Sequence, residues 1–188
     1  GFCSQSTKYQ TGVDRYRIQT VDELVAAARE AHACGATRYC MVTSTRAPTP
    51  RELTVICDAT RQIKGEMPIE ICASLGFLND DSAQTLAESG VDRFNHNIET
   101  SERHFSKLVS SHKWSDRVDT VQAAKRAGME ACCGGIIGMG EDFTDRVEWA
   151  FSLRDLDVES IPVNFLDPRP GTPLDNTVRP SAEDCLRT

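Results

Sequence analysis

Short apolar runs alternate with longer amphipathic stretches along the chain, and glycine marks most of the changes from one to the other. Leu24, Ala27, Ala28 and Ala31 recur at helical spacing behind Thr20-Val21-Asp22-Glu23, a capping box that satisfies first-turn N–H groups reciprocally. Gly35 stands where a helix C-terminal glycine belongs, so the pattern predicts a helix over 21–34. Thr49-Pro50-Arg51-Glu52 repeats the device with proline at the first helical position, opening a helix that carries Leu53, Ile56 and Ile63 before Gly65. Three further helices are expected to start near Asn79, Ser115 and Asp142, the first two stopping at Gly90 and Gly128.

Strands are expected between them, at about 37–43, 69–75, 92–99, 130–138 and 160–166. Each is short and apolar, as parallel strands covered on both faces tend to be. Gly35-Ala36-Thr37-Arg38, Gly90-Val91-Asp92-Arg93 and Gly128-Met129-Glu130-Ala131 each end a helix and launch a strand, a repeated helix–glycine–strand unit. Strict alternation predicts α/β architecture: an arc of a (β/α) barrel of the TIM type in one partial domain spanning 1–188. About five strands cannot close a barrel that needs eight and around 250 residues, so further strands are expected beyond both ends.

Composition narrows the function classes. Across 188 residues, 39% are hydrophobic and 26% charged, which suits one substantial core. A net charge of -7 offers no basic face for nucleic acid. No apolar stretch approaches the roughly 20 residues that span a bilayer, so a cytoplasmic protein without a membrane partner is expected. The chain begins at Gly1-Phe2-Cys3 without methionine, and a preceding segment is expected to be missing. Eight cysteines without an export signal read as reduced thiols rather than a disulfide framework.

Three of those cysteines, Cys40, Cys72 and Cys132, each sit within a predicted strand. If the strands neighbour one another, the thiols meet at one interior point, as they do around a soft metal or an iron–sulfur cluster. Cys34, Cys57 and Cys185 have the context of small hydrophobes, and Cys133 must face away from Cys132.

Polar residues inside strands carry the next signal. Asn95, Asn97 and Glu99 alternate in Phe94-Asn95-His96-Asn97-Ile98-Glu99 and share one face, expected to line a ligand site, while His96 faces the other way. Asn164 repeats the pattern in Ile161-Pro162-Val163-Asn164-Phe165. Carboxamides on separate strands offer donor and acceptor together and can bracket a urea, an amide or a base edge. Arg117 read alone is a surface salt-bridge residue. Gly134 to Glu141 carries four glycines at a strand end, which permit close approach of a ligand to the backbone, but no phosphate-gripping lysine follows.

Gly1-Phe2-Cys3-Ser4-Gln5-Ser6 resembles the end of the CxxxCxxC cluster loop of the biotin synthases, radical S-adenosylmethionine enzymes built on a (β/α) barrel. The likeness continues in family order through Lys8 to Gly12, Arg38 to Val42, Ile71 to Gly76, Phe94 to Ser101, Gly134 to Glu141, Ile161 to Leu166 and Gly171 to Leu174. The resemblance implies that Cys3 ligates a 4Fe-4S cluster whose open iron chelates S-adenosylmethionine. It implies that Cys40, Cys72 and Cys132 ligate an auxiliary 2Fe-2S cluster acting as sulfur donor. Asn97 and Asn164 would hold the ureido group of dethiobiotin, and Glu99 and Arg117 would contact S-adenosylmethionine. A flavodoxin-type or reductase electron donor and a homodimeric parent are implied as well.

The other two cysteines of that loop, and an arginine that completes the auxiliary cluster, have no counterparts within the 188 residues. The fragment by itself is therefore expected to be inactive. Two alternatives stand beside this reading: another radical enzyme of the methylornithine synthase or hydrogenase maturase kind, and a non-catalytic module in which the three thiols hold zinc.

Overall fold

A computed structural model describes residues 3–6, 8–14 and 16–188. Gly1 and Phe2, which open the motif ending in Cys3, lie outside the described residues. The elements run α1 (Val21–Ala33), β1 (Arg38–Val42), α2 (Pro50–Glu66), β2 (Glu70–Ser74), α3 (Asp80–Ser89) and β3 (Arg93–Asn95). They continue with α4 (Glu102–Leu108), α5 (Trp114–Arg126), β4 (Glu130–Cys132), β5 (Gly135–Ile137), α6 (Phe143–Asp155), β6 (Val163–Phe165) and α7 (Ala182–Leu186). All strand pairs are parallel, in one four-stranded sheet ordered β1-β2-β3-β4 and one two-stranded sheet of β5 and β6. This is the partial (β/α) arrangement that the alternation of patterns predicts, and neither sheet closes on itself.

The helices start where their caps dictate. Thr20 with Glu23, Thr49 with Glu52, Asn79 with Ser82 and Asp142 with Asp145 all form reciprocal capping boxes. Gly90 ends α3 in the left-handed conformation at φ 103°, which a side chain would resist.

Contacts divide the chain into two compact units: Arg17–His96 with Asp119–Cys132, and Gly1–Tyr16 with Asn97–Val118 and Cys133–Thr188. The first holds the four-stranded sheet. One face of that sheet packs on α1, α2 and α3 through Val25, Ile56, Ile63, Ile71, Leu86 and Phe94, all nearly inaccessible to solvent. Burying each such side chain stabilises the fold by about 1.5–3 kcal/mol. With one face given to this core, the strand parity leaves the opposite face for other chemistry.

Three predicted strands are cut short, the run 160–166 forming β6 only over Val163–Phe165. The run 92–99 pairs only as far as Asn95, and the run 130–138 divides at Cys133 and Gly134 into β4 and β5. Past Asn95 the chain leaves the ladder, and Glu99 adopts φ 72° in an isolated parallel bridge to Gly135. The strict alternation of Asn95, Asn97 and Glu99 on one strand face therefore does not hold, because two of the three lie beyond the strand.

Candidate functional site

Side chains in a strand alternate, so the ladder register identifies those sharing a face. Cys40 is the cross-strand partner of Cys72, and Cys72 is the partner of Arg93. Two positions beyond Arg93, Asn95 pairs with Cys132. Cys40, Cys72 and Cys132 thus stand on one face of the sheet. Arg38 and Glu70 share that face and pair with each other, and Arg93 pairs with Glu130. Paired charges consequently border the thiols: Arg38 and Glu70 lie one step below Cys40 and Cys72, and Arg93 is level with Cys72.

The thiols interact with one another. A hydrogen bond with Cys72 holds the Cys40 thiol below its ordinary pKa, while the same contact and burial push the Cys72 thiol well above. Of the two, Cys40 is therefore the thiol that ionises more readily. Cys132 is reached from the side by Asn95, whose Nδ2 donates to Sγ at 3.5 Å. Among the described residues, no three His, Cys, Asp or Glu side chains are already gathered at metal-ligating distance. Cys132 sits two strands away from Cys72, about 10 Å across the sheet, so a multi-atom inorganic core fits this donor set better than one bare ion. An all-sulfur set is soft, which suits iron–sulfur or zinc.

The second compact unit assembles the remaining polar residues around Gly134 and Gly135. The Gly134 N–H donates to Asn97 Oδ1 at 3.0 Å, and Asn164 Nδ2 donates to the Gly135 carbonyl at 3.3 Å. Both carboxamides therefore grip one dipeptide from opposite ends. A Cβ on Gly134 would collide with the Pro162 carbonyl and one on Gly135 with the Glu99 carbonyl, so only glycine permits the approach.

Glu99 is 8% exposed, and its Oε2 has no hydrogen-bond partner among the described residues. Burial raises its pKa, against the opposing pull of Arg117. Arg117, far from the surface role it suggests in isolation, is only 15% exposed along its side chain and lies 3.4 Å from Glu99 Oε1. Its Nη1 donates to the Asn97 carbonyl at 2.7 Å. Burial lowers its pKa, opposed by Glu99, Cys133 and Cys3. Exposed Cys3 thereby stands within electrostatic reach of this corner. A buried cation beside a carboxylate with one unpartnered oxygen suits a zwitterionic ligand, one whose anionic and donor groups sit close together.

Glu141 stabilises the glycine-rich turn from within, since its two oxygens accept from Gly138 N and Met139 N at 2.8 Å each. Arg146 pairs with the same carboxylate at 3.0 Å. Asn97, Glu99, Arg117 and Asn164 are thus brought together in one unit, and the three strand cysteines in the other. Sequence reading alone passes over Arg38 and Arg93, though parity marks both: Arg38 precedes Cys40 by two positions, and Arg93 precedes Asn95 by two. His112 and Glu141 carry no such signal, because they lie in loops where no period applies.

Parallel strands with intervening helices define an α/β scaffold, one sheet face of which carries three cysteines. Residues 1–153 match the Radical SAM superfamily, and the chain belongs to it. It is 55% identical over 188 residues to a biotin synthase of Salinibacter ruber (strain DSM 13855 / M31), covering 99% of this chain and 52% of that protein. A biotin synthase of Aquifex aeolicus (strain VF5) is 45% identical over 176 residues, covering 93% and 53% respectively. The chain spans about half the length of the curated relatives it matches. Among solved structures, a methylornithine synthase superposes with a TM-score of 0.84 at 20% identity, over 99% of this chain and 56% of that one. An FeFe-hydrogenase maturase from Carboxydothermus hydrogenoformans gives 0.76 at 18% identity, over 92% and 43%. These likenesses show the fold.

Proposed function

We propose that the chain is the barrel portion of a biotin synthase, inserting sulfur into dethiobiotin with S-adenosylmethionine as radical source. The observation that carries this reading is the placement of Cys40, Cys72 and Cys132 on one face of the four-stranded sheet. Identity of 55% and 45% to biotin synthases supports it. When bound, paired 4Fe-4S and 2Fe-2S clusters supply one-electron cleavage of S-adenosylmethionine to a 5'-deoxyadenosyl radical and the sulfur to be inserted. Cys3 would be one ligand of the 4Fe-4S cluster, and Cys40, Cys72 and Cys132 would hold the 2Fe-2S cluster. A flavodoxin-type or reductase donor, a cytoplasmic location and a homodimer complete the proposal, with residues 1–188 forming one partial barrel domain.

The chain's own groups have definite tasks. Asn97 uses its Oδ1 and Asn164 its Nδ2 on the Gly134–Gly135 backbone. What they have left to offer is complementary: an amide donor from Asn97 and an amide acceptor from Asn164. A cyclic urea presents the matching carbonyl and N–H side by side. Arg117 takes the carboxylate of S-adenosylmethionine, and Glu99 Oε2 accepts from one of its hydroxyl or ammonium groups. The burial of both residues excludes water and strengthens each contact.

Anaerobic reconstitution with iron and sulfide tests the reading. Broad visible absorbance that bleaches on reduction is expected, and it is lost in Cys40→Ser, Cys72→Ser and Cys132→Ser. A colourless, redox-silent protein that takes up zinc alone would overturn it. Calorimetric titration with dethiobiotin then separates substrate recognition. Asn97→Ala and Asn164→Ala should each weaken binding by about 1–3 kcal/mol, and unchanged affinity in both would remove the ureido assignment.

A further inference from the structure

Arg117 is held by more than the groups it would present to a ligand. Its Nε donates to His112 Nε2 at 3.1 Å, and His112 Nδ1 lies 2.9 Å from Ser111 Oγ. Because Arg117 can only donate, Nε2 must accept, which places the ring proton on Nδ1, toward Ser111. The ring is therefore neutral in this pairing.

A second contact fixes the same two side chains independently. The Phe105 ring is 1% exposed, and the Arg117 guanidinium lies 5.5 Å from its centroid. His112 meets the same ring edge-on, with centroids 5.4 Å apart at 61°. Trp114 Nε1 donates to the Thr100 carbonyl at 2.9 Å, fastening the start of α5 and with it the turn that carries Arg117. His112 thus caps one edge of the guanidinium while Phe105 supports its plane.

We infer that His112 is a positioning residue of the ligand site, holding the Arg117 guanidinium by its Nε edge so that Nη1 stays on the Asn97 carbonyl and Glu99. This inference rests on the reading of that corner as the S-adenosylmethionine site. An arginine side chain has several rotatable bonds, and a buried one left without its edge partner loses both a charge-assisted hydrogen bond and its fixed orientation. The residue in position 112 must offer an acceptor; it need not be charged and it touches no ligand.

The experiment uses the complete protein of which this chain is expected to be a part, reconstituted with iron and sulfide, and two probes, S-adenosylmethionine and 5'-methylthioadenosine, the second of which lacks the 3-amino-3-carboxypropyl tail. His112→Leu should bind S-adenosylmethionine about tenfold more weakly and 5'-methylthioadenosine unchanged. His112→Gln, which restores an acceptor, should return the affinity to within about twofold of wild type, an expectation from the same hydrogen-bond range. Nitrogen-15 NMR provides a readout that a merely structural role would leave alone. His112 should show the Nδ1–H tautomer, and an Arg117 Nε–H signal, assigned through Arg117→Lys, should resist exchange in wild type and His112→Gln but vanish in His112→Leu. Wild-type binding with equal affinity in His112→Leu, or a ring proton on Nε2, would overturn the inference. No uptake of S-adenosylmethionine by the reconstituted wild-type protein would instead overturn the cofactor reading beneath it, while the tautomer and exchange results would still report whether His112 holds Arg117.

Discussion

Cys40 stands directly opposite Cys72 across the β1–β2 ladder, and their thiols share one hydrogen bond. That hydrogen bond acts on the two in opposite directions: it lowers the pKa of Cys40 and raises that of Cys72. A thiolate is the nucleophile in alkylation, so a lowered pKa preserves reactivity as pH falls below the usual thiol value of about 8.5. Iodoacetamide at neutral pH should therefore modify exposed Cys40 well before buried Cys72. Peptide mapping by mass spectrometry reads the order, and simultaneous modification of both would refute this difference between them.

Glu99 should trade stability for binding. Its pKa is raised by burial, so the ionised form is penalised in the folded chain. Below the usual carboxylate value of 4.5 both folded and unfolded chains are protonated and no penalty exists. Above the raised folded value the penalty is fully present. Glu99→Gln should accordingly melt higher than wild type at pH 7, with the difference shrinking toward pH 4, and should bind S-adenosylmethionine less tightly. Thermal unfolding across that range checks the sign.

Asp145 should show the opposite dependence. It is 1% exposed, and burial works against its charge. Ser101 Oγ at 2.6 Å, the Asp142 N–H at 3.0 Å and Arg103 Nε at 3.1 Å outweigh that cost. Together they hold the carboxyl at about 2 against a usual 3.8, a depression worth about 2.5 kcal/mol at roughly 1.4 kcal/mol per unit. That stability is present above pH 4 and is lost as pH falls through the folded value. Asp145→Asn should be destabilised at pH 7 and converge on wild type near pH 2, as followed by circular dichroism melts.

Two glycines should respond to alanine with opposite signs. A Cβ on Gly135 would meet the Glu99 carbonyl, so Gly135→Ala must force apart the bridge beneath the ligand corner at a cost of about 2 kcal/mol or more. Gly65 lies inside α2 with nothing within 4 Å of an added Cβ, and Gly65→Ala should gain about 0.5–1 kcal/mol. Urea titration of both variants is sufficient.

Most of the helical skeleton is readable from local chemistry. Thr20-Glu23 and Thr49-Glu52 announce their capping boxes in one-dimensional spacing, and Gly35, Gly90 and Gly128 all adopt the left-handed conformation their positions predict. Helix α4 escapes notice because Ser101 accepts from His104 N without a glutamate answering from the third position, and the helix spans only seven residues. The shared face of Cys40, Cys72 and Cys132 follows from strand parity and needs only the neighbour order.

The ligand corner is less legible. Its alternation pattern brings Asn97 and Glu99 to notice, but the strand has ended before either. A glutamate at φ 72° has no sequence signature, and neither has the departure of Arg117 from the surface. Both arise from long-range contacts, Glu99 with Gly135 and Arg117 with the Asn97 carbonyl, whose burial cost is offset only when all partners are present.

Glu141 occupies the two amide hydrogens of the turn at Gly138 and Met139, the groups with which a glycine-rich loop would otherwise clasp a phosphoryl group. A tethered carboxylate thus serves as the loop's built-in anion and is backed by Arg146. A phosphate chain brought to this turn would meet a cradle that is already filled from inside.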